Sequence, residues 1–267
     1  MLKDITLGQY FPGDSILHRL DARCKLVAVF IFIVAIFLAV NYASYALMIV
    51  FTLAMIAVSR IPPKSIVRGL KPVMIIILFT AVLNAFFTPG HEIFRVWKIV
   101  VTQEGLLRAL FMVLRITLLI AGTLLLTYTT APIALTDGME RLFAPLKKLH
   151  VPVHEMAMMM SMALRFIPTL IEETDKIMSA QRARGADFET GSLVRRAKAL
   201  LPLLVPLFVS AFRRADELAV AMESRCYHGG EGRTRMKQLV WHRRDTAALA
   251  VVLLVLAAVI VLRHFGL

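Results

Sequence analysis

Cysteine is nearly absent, with only Cys24 and Cys226 among 267 residues. Both lie beside basic residues, in segments expected to face a reducing cytoplasm, which excludes a disulfide framework. Two isolated thiols are also too few for a structural zinc site. Acidic residues are scarce as well: 18 Asp+Glu against 31 Lys+Arg leave a net charge of +13. No Gly-x-x-x-x-Gly-Lys-Ser/Thr loop occurs anywhere. The chain therefore cannot bind ATP in the P-loop manner, and any ATP-derived energy must come from other subunits. The first twenty residues lack a continuous apolar core and carry Asp4, Asp14, His18 and Arg19, which is not the pattern of a cleavable signal peptide.

What is abundant is apolar sequence. Hydrophobic residues make up 58% of the chain and the mean hydropathy is +0.73, above the ~45–50% apolar content of soluble domains. A multi-pass membrane protein follows. Nucleic-acid binding is the rival explanation of the basic excess, but the basic residues flank or interrupt apolar runs and no nucleic-acid motif accompanies them.

Leu26 to Val58 holds no charged residue. As a single helix it would be about 50 Å long, against a hydrocarbon core of about 30 Å. It is expected to fold as a hairpin turning at Asn41-Tyr42-Ala43-Ser44-Tyr45. Val73–Thr88, Gly105–Thr130 and Thr246–Leu262 are three further spans, five in all. Arg108 and Arg115, seven apart, share one face of the fourth span. They either snorkel to the outer interface or make a contact inside the bundle.

Basic residues set the orientation. Residues 1–25 hold four, the 59–72 loop four, the 41–45 turn none, the 89–105 loop two and the 131–245 stretch eighteen. With an odd number of spans, a cytoplasmic N-terminus puts every strongly basic region inside. The expected organisation is a cytoplasmic segment 1–25, transmembrane helices 1–4 over 26–130, a cytoplasmic region 131–245 and a last span in 246–267. The fold class is thus an all-α membrane protein of about five transmembrane helices, with long cytoplasmic helices inserted before the last span.

Within the insert the pattern predicts a short helix over Thr136–His150, ended near Pro152. A long helix over Glu155–Arg184 follows, bent at Pro168. A third runs over Leu193–Tyr227, bent around Pro202 and Pro206, with an apolar face of Ala211, Ala215, Leu218, Met222 and Cys226. Near the ends of the two long helices a short pattern repeats 41 residues apart: Ala180-Gln181-Arg182-Ala183-Arg184-Gly185 and Ala221-Met222-Glu223-Ser224-Arg225-Cys226. Each presents one arginine between small residues. Arginine stays charged and pairs with carboxylates through a planar fork, so the doubled pattern reads as two docking points. Met156, Met158, Met159, Met160 and Met162 form a dense cluster. It is either plain helix packing or an adaptable surface for several partners.

Three stretches then point to a family. Gly8-Gln9-Tyr10-Phe11-Pro12-Gly13-Asp14-Ser15, with His18-Arg19-Leu20-Asp21-Ala22-Arg23-Cys24-Lys25-Leu26, closely resembles the start of the transmembrane T component of energy-coupling factor (ECF) transporters. Ala183-Arg184-Gly185 and Ser224-Arg225-Cys226 are similar to its two Ala-Arg-Gly signatures, and Tyr227 to Thr234 is similar to its tail. The resemblance implies a non-catalytic α-helical scaffold in a prokaryotic cell membrane. Its partners would be two ABC-type ATPases, which bind ATP and Mg, and a membrane-embedded S component that binds a vitamin or metal ion. It assigns Arg184 and Arg225 to one ATPase groove each. The chain itself would carry no cofactor. Cys226 stands where the family has glycine, so a glycine-dependent turn is the feature to check there.

Other constellations carry less. His150, His154 and Glu155 lack the His-Glu-x-x-His order of a metal site and have Pro152 between the histidines, which favours a capping or interface role. Asp14 and His18 have ligand spacing but read more simply as a turn leading into a helix cap. A membrane-embedded lipid-modifying enzyme would need convergent acids, bases or metal ligands in the spans, where only Arg108 and Arg115 are charged. A secondary transporter would place polar or broken helices at the midplane. A dedicated T component of a cobalt or nickel importer is the alternative within the family.

Overall fold

The computed structural model describes residues 10–89, 91–96, 99–188, 192–229 and 239–265. Asp4, Gly8, Gln9 and the 230–234 part of the tail, all named above, lie outside the described residues. In chain order the elements are α1 (Ala22–Leu38), α2 (Tyr42–Ser59), α3 (Pro63–Leu70), a 3-10 turn (Lys71–Val73), α4 (Met74–Phe87), β1 (Glu92–Val96) and β2 (Ile99–Thr102). Then come α5 (Gln103–Thr129), α6 (Pro132–Phe143), a 3-10 turn (Ala144–Leu149), α7 (Val153–Ala183), α8 (Leu193–Glu223) and α9 (Arg243–Phe265). They fall into two compact units, one built from 8–139 and 239–267, the other from 140–238.

The first unit is the membrane bundle. Tyr42–Ser59, Pro63–Phe87, Gln103–Thr129 and Arg243–Phe265 are long and apolar enough to cross a membrane. The 17-residue α1 is at the short end of the ~17–25 residues that span a bilayer. The expected α1–α2 hairpin forms, but it turns at residues 39–41, and Tyr42 to Tyr45, placed in the turn by the sequence, already belong to α2. The third span differs. It starts at Pro63 rather than Val73, because the short α3 runs on through the 3-10 turn at Pro72 into α4. The loop before α5 is not plain coil: β1 and β2 pair antiparallel, Arg95 opposite Val100 and Val96 opposite Ile99.

Between lipid-embedded helices there is little hydrophobic driving force, so close packing and hydrogen bonds decide the bundle. Phe32, Ile36, Tyr45, Met48, Leu118 and Val259 form its main buried cluster. Phe32 reaches in because Gly122 of α5 has no side chain: a Cβ there would run into the Phe32 ring. Polar joints fasten the helix ends. Asp245, fully buried, accepts the Asp21 N–H at 2.9 Å and the His242 N–H at 2.7 Å, and Asp21 caps α1 by accepting from the Arg23 N–H. Lys25 Nζ donates to the Thr129 carbonyl at the end of α5, 2.8 Å away.

Arg115 settles one of the open alternatives. It donates to Tyr45 Oη at 3.1 Å and to the carbonyl of Ala39, the C-cap of α1, at 3.2 Å. This is a contact inside the bundle, not a snorkelling side chain. The Asp14–His18 pair is a local turn, as the simpler reading expected. His18 Nε2 donates to the Phe11 carbonyl at 2.9 Å, its Nδ1 lies 2.6 Å from Ser15 Oγ, and Asp14 meets Arg19 at 3.9 Å.

Across the 131–245 region the sequence placed helix starts within a few residues, with one exception. The first helix starts at Pro132, not Thr136, and gives way at Phe143 to a 3-10 turn that ends at His150 with φ +60°. α7 and α8 are each 31 residues long and stay helical through Pro168 and through Pro202 and Pro206.

Candidate docking site

Glu173 of α7 meets Ser210 and Arg214 of α8. Nearer the start of α7, Met158, Met162 and Phe166 share a groove with Leu218, Met222 and Arg225 further along α8. The two helices therefore run antiparallel. α8 turns a half-buried stripe inward at Leu207, Ser210, Arg214, Leu218 and Met222, with Leu203 buried. The spacing of three and four is that of one helix face.

The stripe corrects the predicted face. Leu218 and Met222 belong to it, but Ala211 and Ala215 are exposed, as is Cys226, and Arg214 takes an inward position. Apolar periodicity misassigned the face because two of its inward positions are polar. Those positions are matched by a polar partner. Ser210 Oγ donates to Glu173 Oε1 at 2.5 Å and Arg214 Nη2 donates to Oε2 at 2.9 Å. The hydrogen bond from Ser210, with the Arg214 guanidinium, holds the Glu173 carboxyl below the ordinary carboxylate range. The group is therefore ionised, and its pair intact, throughout the neutral range.

Both signature arginines sit at the same place in the same motif. At the end of α7 the Gly185 N–H donates to Arg182 O at 2.9 Å and the Ala186 N–H to Gln181 O at 3.0 Å. At the end of α8 the Cys226 N–H donates to Glu223 O at 2.8 Å and the Tyr227 N–H to Met222 O at 3.0 Å. These are two Schellman caps, each requiring a left-handed residue after the C-cap. Gly185 has φ +88° and Cys226 has φ +55°. The turn survives without glycine, because cysteine adopts the left-handed conformation that the cap requires. Arg184 and Arg225 are the two C-cap residues, both exposed, with Ala183 and Ser224 just before them. Basic side chains there also complement the negative end of the helix dipole.

Arg225 lines a groove of about 620 Å³ with Met158, Ser161, Met162, Arg165 and Tyr227 among its walls. The methionine cluster is thus divided. Met158 and Met162 face the groove, while Met156, Met159 and Met160 are exposed by 49%, 58% and 44%. His154 takes the interface role expected of it: its Nδ1 lies 2.9 Å from Glu140 Oε1. Among the described residues no group of three or more His, Cys, Asp or Glu side chains is arranged to hold a metal ion. Sequence reasoning missed Glu173, Ser210, Arg165 and Tyr227 as members of the site, since none of them falls in a repeated motif.

Residues 13–236 match the family model CbiQ, described as cobalt transport protein. The chain is 56% identical over 264 residues to the energy-coupling factor transporter transmembrane protein EcfT of Clostridium kluyveri, covering 97% of each. It is 53% identical over 261 residues to EcfT of Bacillus subtilis, covering 97% of this chain and 98% of that one. It is 47% identical over 262 residues to EcfT of Lactococcus lactis, covering 98% of each. These matches take in the bundle and both capped helices together, and the chain accordingly belongs to the CbiQ family, as a non-catalytic transmembrane transport subunit of the energy-coupling factor type.

Proposed function

We propose that this chain is the scaffold of an ABC-type importer, and that Arg184 and Arg225 each enter a groove on one of two partner ATPases. The observation that carries the reading is the pair of matching caps, which present two exposed arginines on helix ends pointing in opposite directions. The partners supply ATP and Mg. The basic 131–245 region faces the cytoplasm by the positive-inside rule, with the N-terminus on the same side.

A membrane-embedded S component has a large apolar surface to meet. Met156, Met159 and Met160 are exposed on α7, and Leu201, Leu204, Phe208 and Phe212 on α8. ATP-driven movement of the ATPases would move the two helix ends and reorient the S component, releasing a vitamin or other micronutrient inside. The family description favours a second reading, a module dedicated to cobalt or nickel, while the EcfT relatives favour a module of the general energy-coupling type.

A mild-detergent purification of the full chain from its own cells tests both. Two ATPases with several small membrane proteins support the shared module; a single metal-specific partner supports the dedicated one. In the purified complex, changing Arg184 and Arg225 together to Ala should abolish transport-coupled ATP hydrolysis while the protein stays in the membrane. Normal transport and hydrolysis by that double variant would sink the docking assignment.

A further inference from the structure

The offset between the two signatures is repeated by the ion pair that joins the helices. Arg184 and Arg225 are 41 residues apart, and so are Glu173 and Arg214. Each member of the pair lies 11 residues before its own signature arginine. Eleven residues are close to three turns, so each arginine sits on nearly the same face as its pair member, about 16 Å along the helix. Because the helices are antiparallel, the ion pair is the midpoint of the site. The two arginines project at equal distances on either side of it.

We infer that Glu173, held by Ser210 and Arg214, is a positioning residue that fixes the register of α7 on α8 and hence the separation of the two signature arginines. The rest of the seam cannot do this. Leu203, Leu207, Leu218 and Met222 recur at helical spacing, and a slide by one turn, about 5.4 Å, brings similar side chains back into contact. A carboxylate with two specific donors at 2.5 and 2.9 Å fits one alignment only. Registry is the best-attested use of polar groups in an apolar helix seam. The consequence for transport rests on the docking reading above; the register itself does not.

The test separates adhesion from registry. Spin labels are placed at Ser179 and Val220 in the full chain in lipid nanodiscs, with Cys226→Gly to remove the exposed thiol. The parent should give one narrow distance. The triple change Glu173→Leu, Ser210→Ala and Arg214→Leu should keep the helices together with unchanged melting, yet broaden the distribution by populations displaced about one turn, 5.4 Å. The swap Glu173→Arg with Arg214→Glu should restore the single distance. In complexes with the ATPases, the triple variant should co-purify normally but lose most of its coupled hydrolysis, and the swap should regain it.

A narrow, unshifted distance in the triple variant overturns the inference. If the triple variant fails to reach the membrane, Glu173→Gln takes its place, with the same broadening expected and an unchanged distance overturning the idea. A broadened distance, alongside full function of the Arg184→Ala, Arg225→Ala complex, would leave the register intact and refute only the docking reading.

Discussion

The two caps differ at their left-handed residue, and that difference predicts opposite responses to opposite substitutions. Gly185 sits at φ +88° with nothing within 4 Å of where a Cβ would be. Gly185→Ala therefore meets no steric neighbour, and its effect is backbone conformation alone. A left-handed L-residue costs roughly 1–2 kcal/mol, and loss of glycine's freedom in the unfolded chain returns about 0.4–1 kcal/mol. The net loss is about 1 kcal/mol, or about a fivefold rise in opening of the cap. Cys226 already bears the left-handed cost at φ +55°, so Cys226→Gly should gain about the same amount.

Hydrogen exchange reads this directly, because the Ala186 and Tyr227 N–H groups close the two caps. Gly185→Ala should speed exchange at Ala186 about fivefold, and Cys226→Gly should slow it at Tyr227 by a similar factor. Gly185→Asn should fall between Gly and Ala, since asparagine tolerates the left-handed region. Unchanged exchange at Ala186 in Gly185→Ala, or equal acceleration by Asn and Ala, would refute the claim that positive φ shapes the signature.

Two further outcomes concern the bundle. Arg115→Leu leaves the Ala39 carbonyl and Tyr45 hydroxyl without the donor they have now; at about 1–3 kcal/mol for an orphaned buried group, the melting temperature in detergent should fall by several degrees, whereas a snorkelling arginine would be replaced at no cost. Gly122→Ala should destabilise by about 1–3 kcal/mol through overpacking against Phe32, and Phe32→Leu in the same chain should recover most of that loss in the same melting assay.

Apolar runs and basic loops made the bundle legible, because a membrane enforces helices about 20 residues long. The α1–α2 hairpin, α5 and α9 follow from that rule. The 3-10 turn at Lys71–Val73 and the β1–β2 pair do not, since both are short and neither breaks the hydropathy profile. In the second unit the repeated arginines and the helix lengths were readable, and Gly185 announced its cap. Cys226 did not, because nothing in a cysteine signals positive φ; only its place in the repeat does. The inward face of α8 was misread at Ala211 and Ala215 because periodicity ranks alanine above arginine for an inner position. Arg214 is inside because Glu173 is opposite, a long-range pairing that no local window contains.

The same substitution that gives the second cap its left-handed cysteine also equips the chain with a reporter. Cys24 is buried against the α9 end of the bundle and Cys226 is exposed. A thiol-reactive dye added to the unmodified protein will therefore mark one site, beside the second signature arginine. On the docking reading proposed above, protection of that thiol would time the arrival of a partner at the end of α8, while the end of α7, with Gly185, stays silent and serves as the reference.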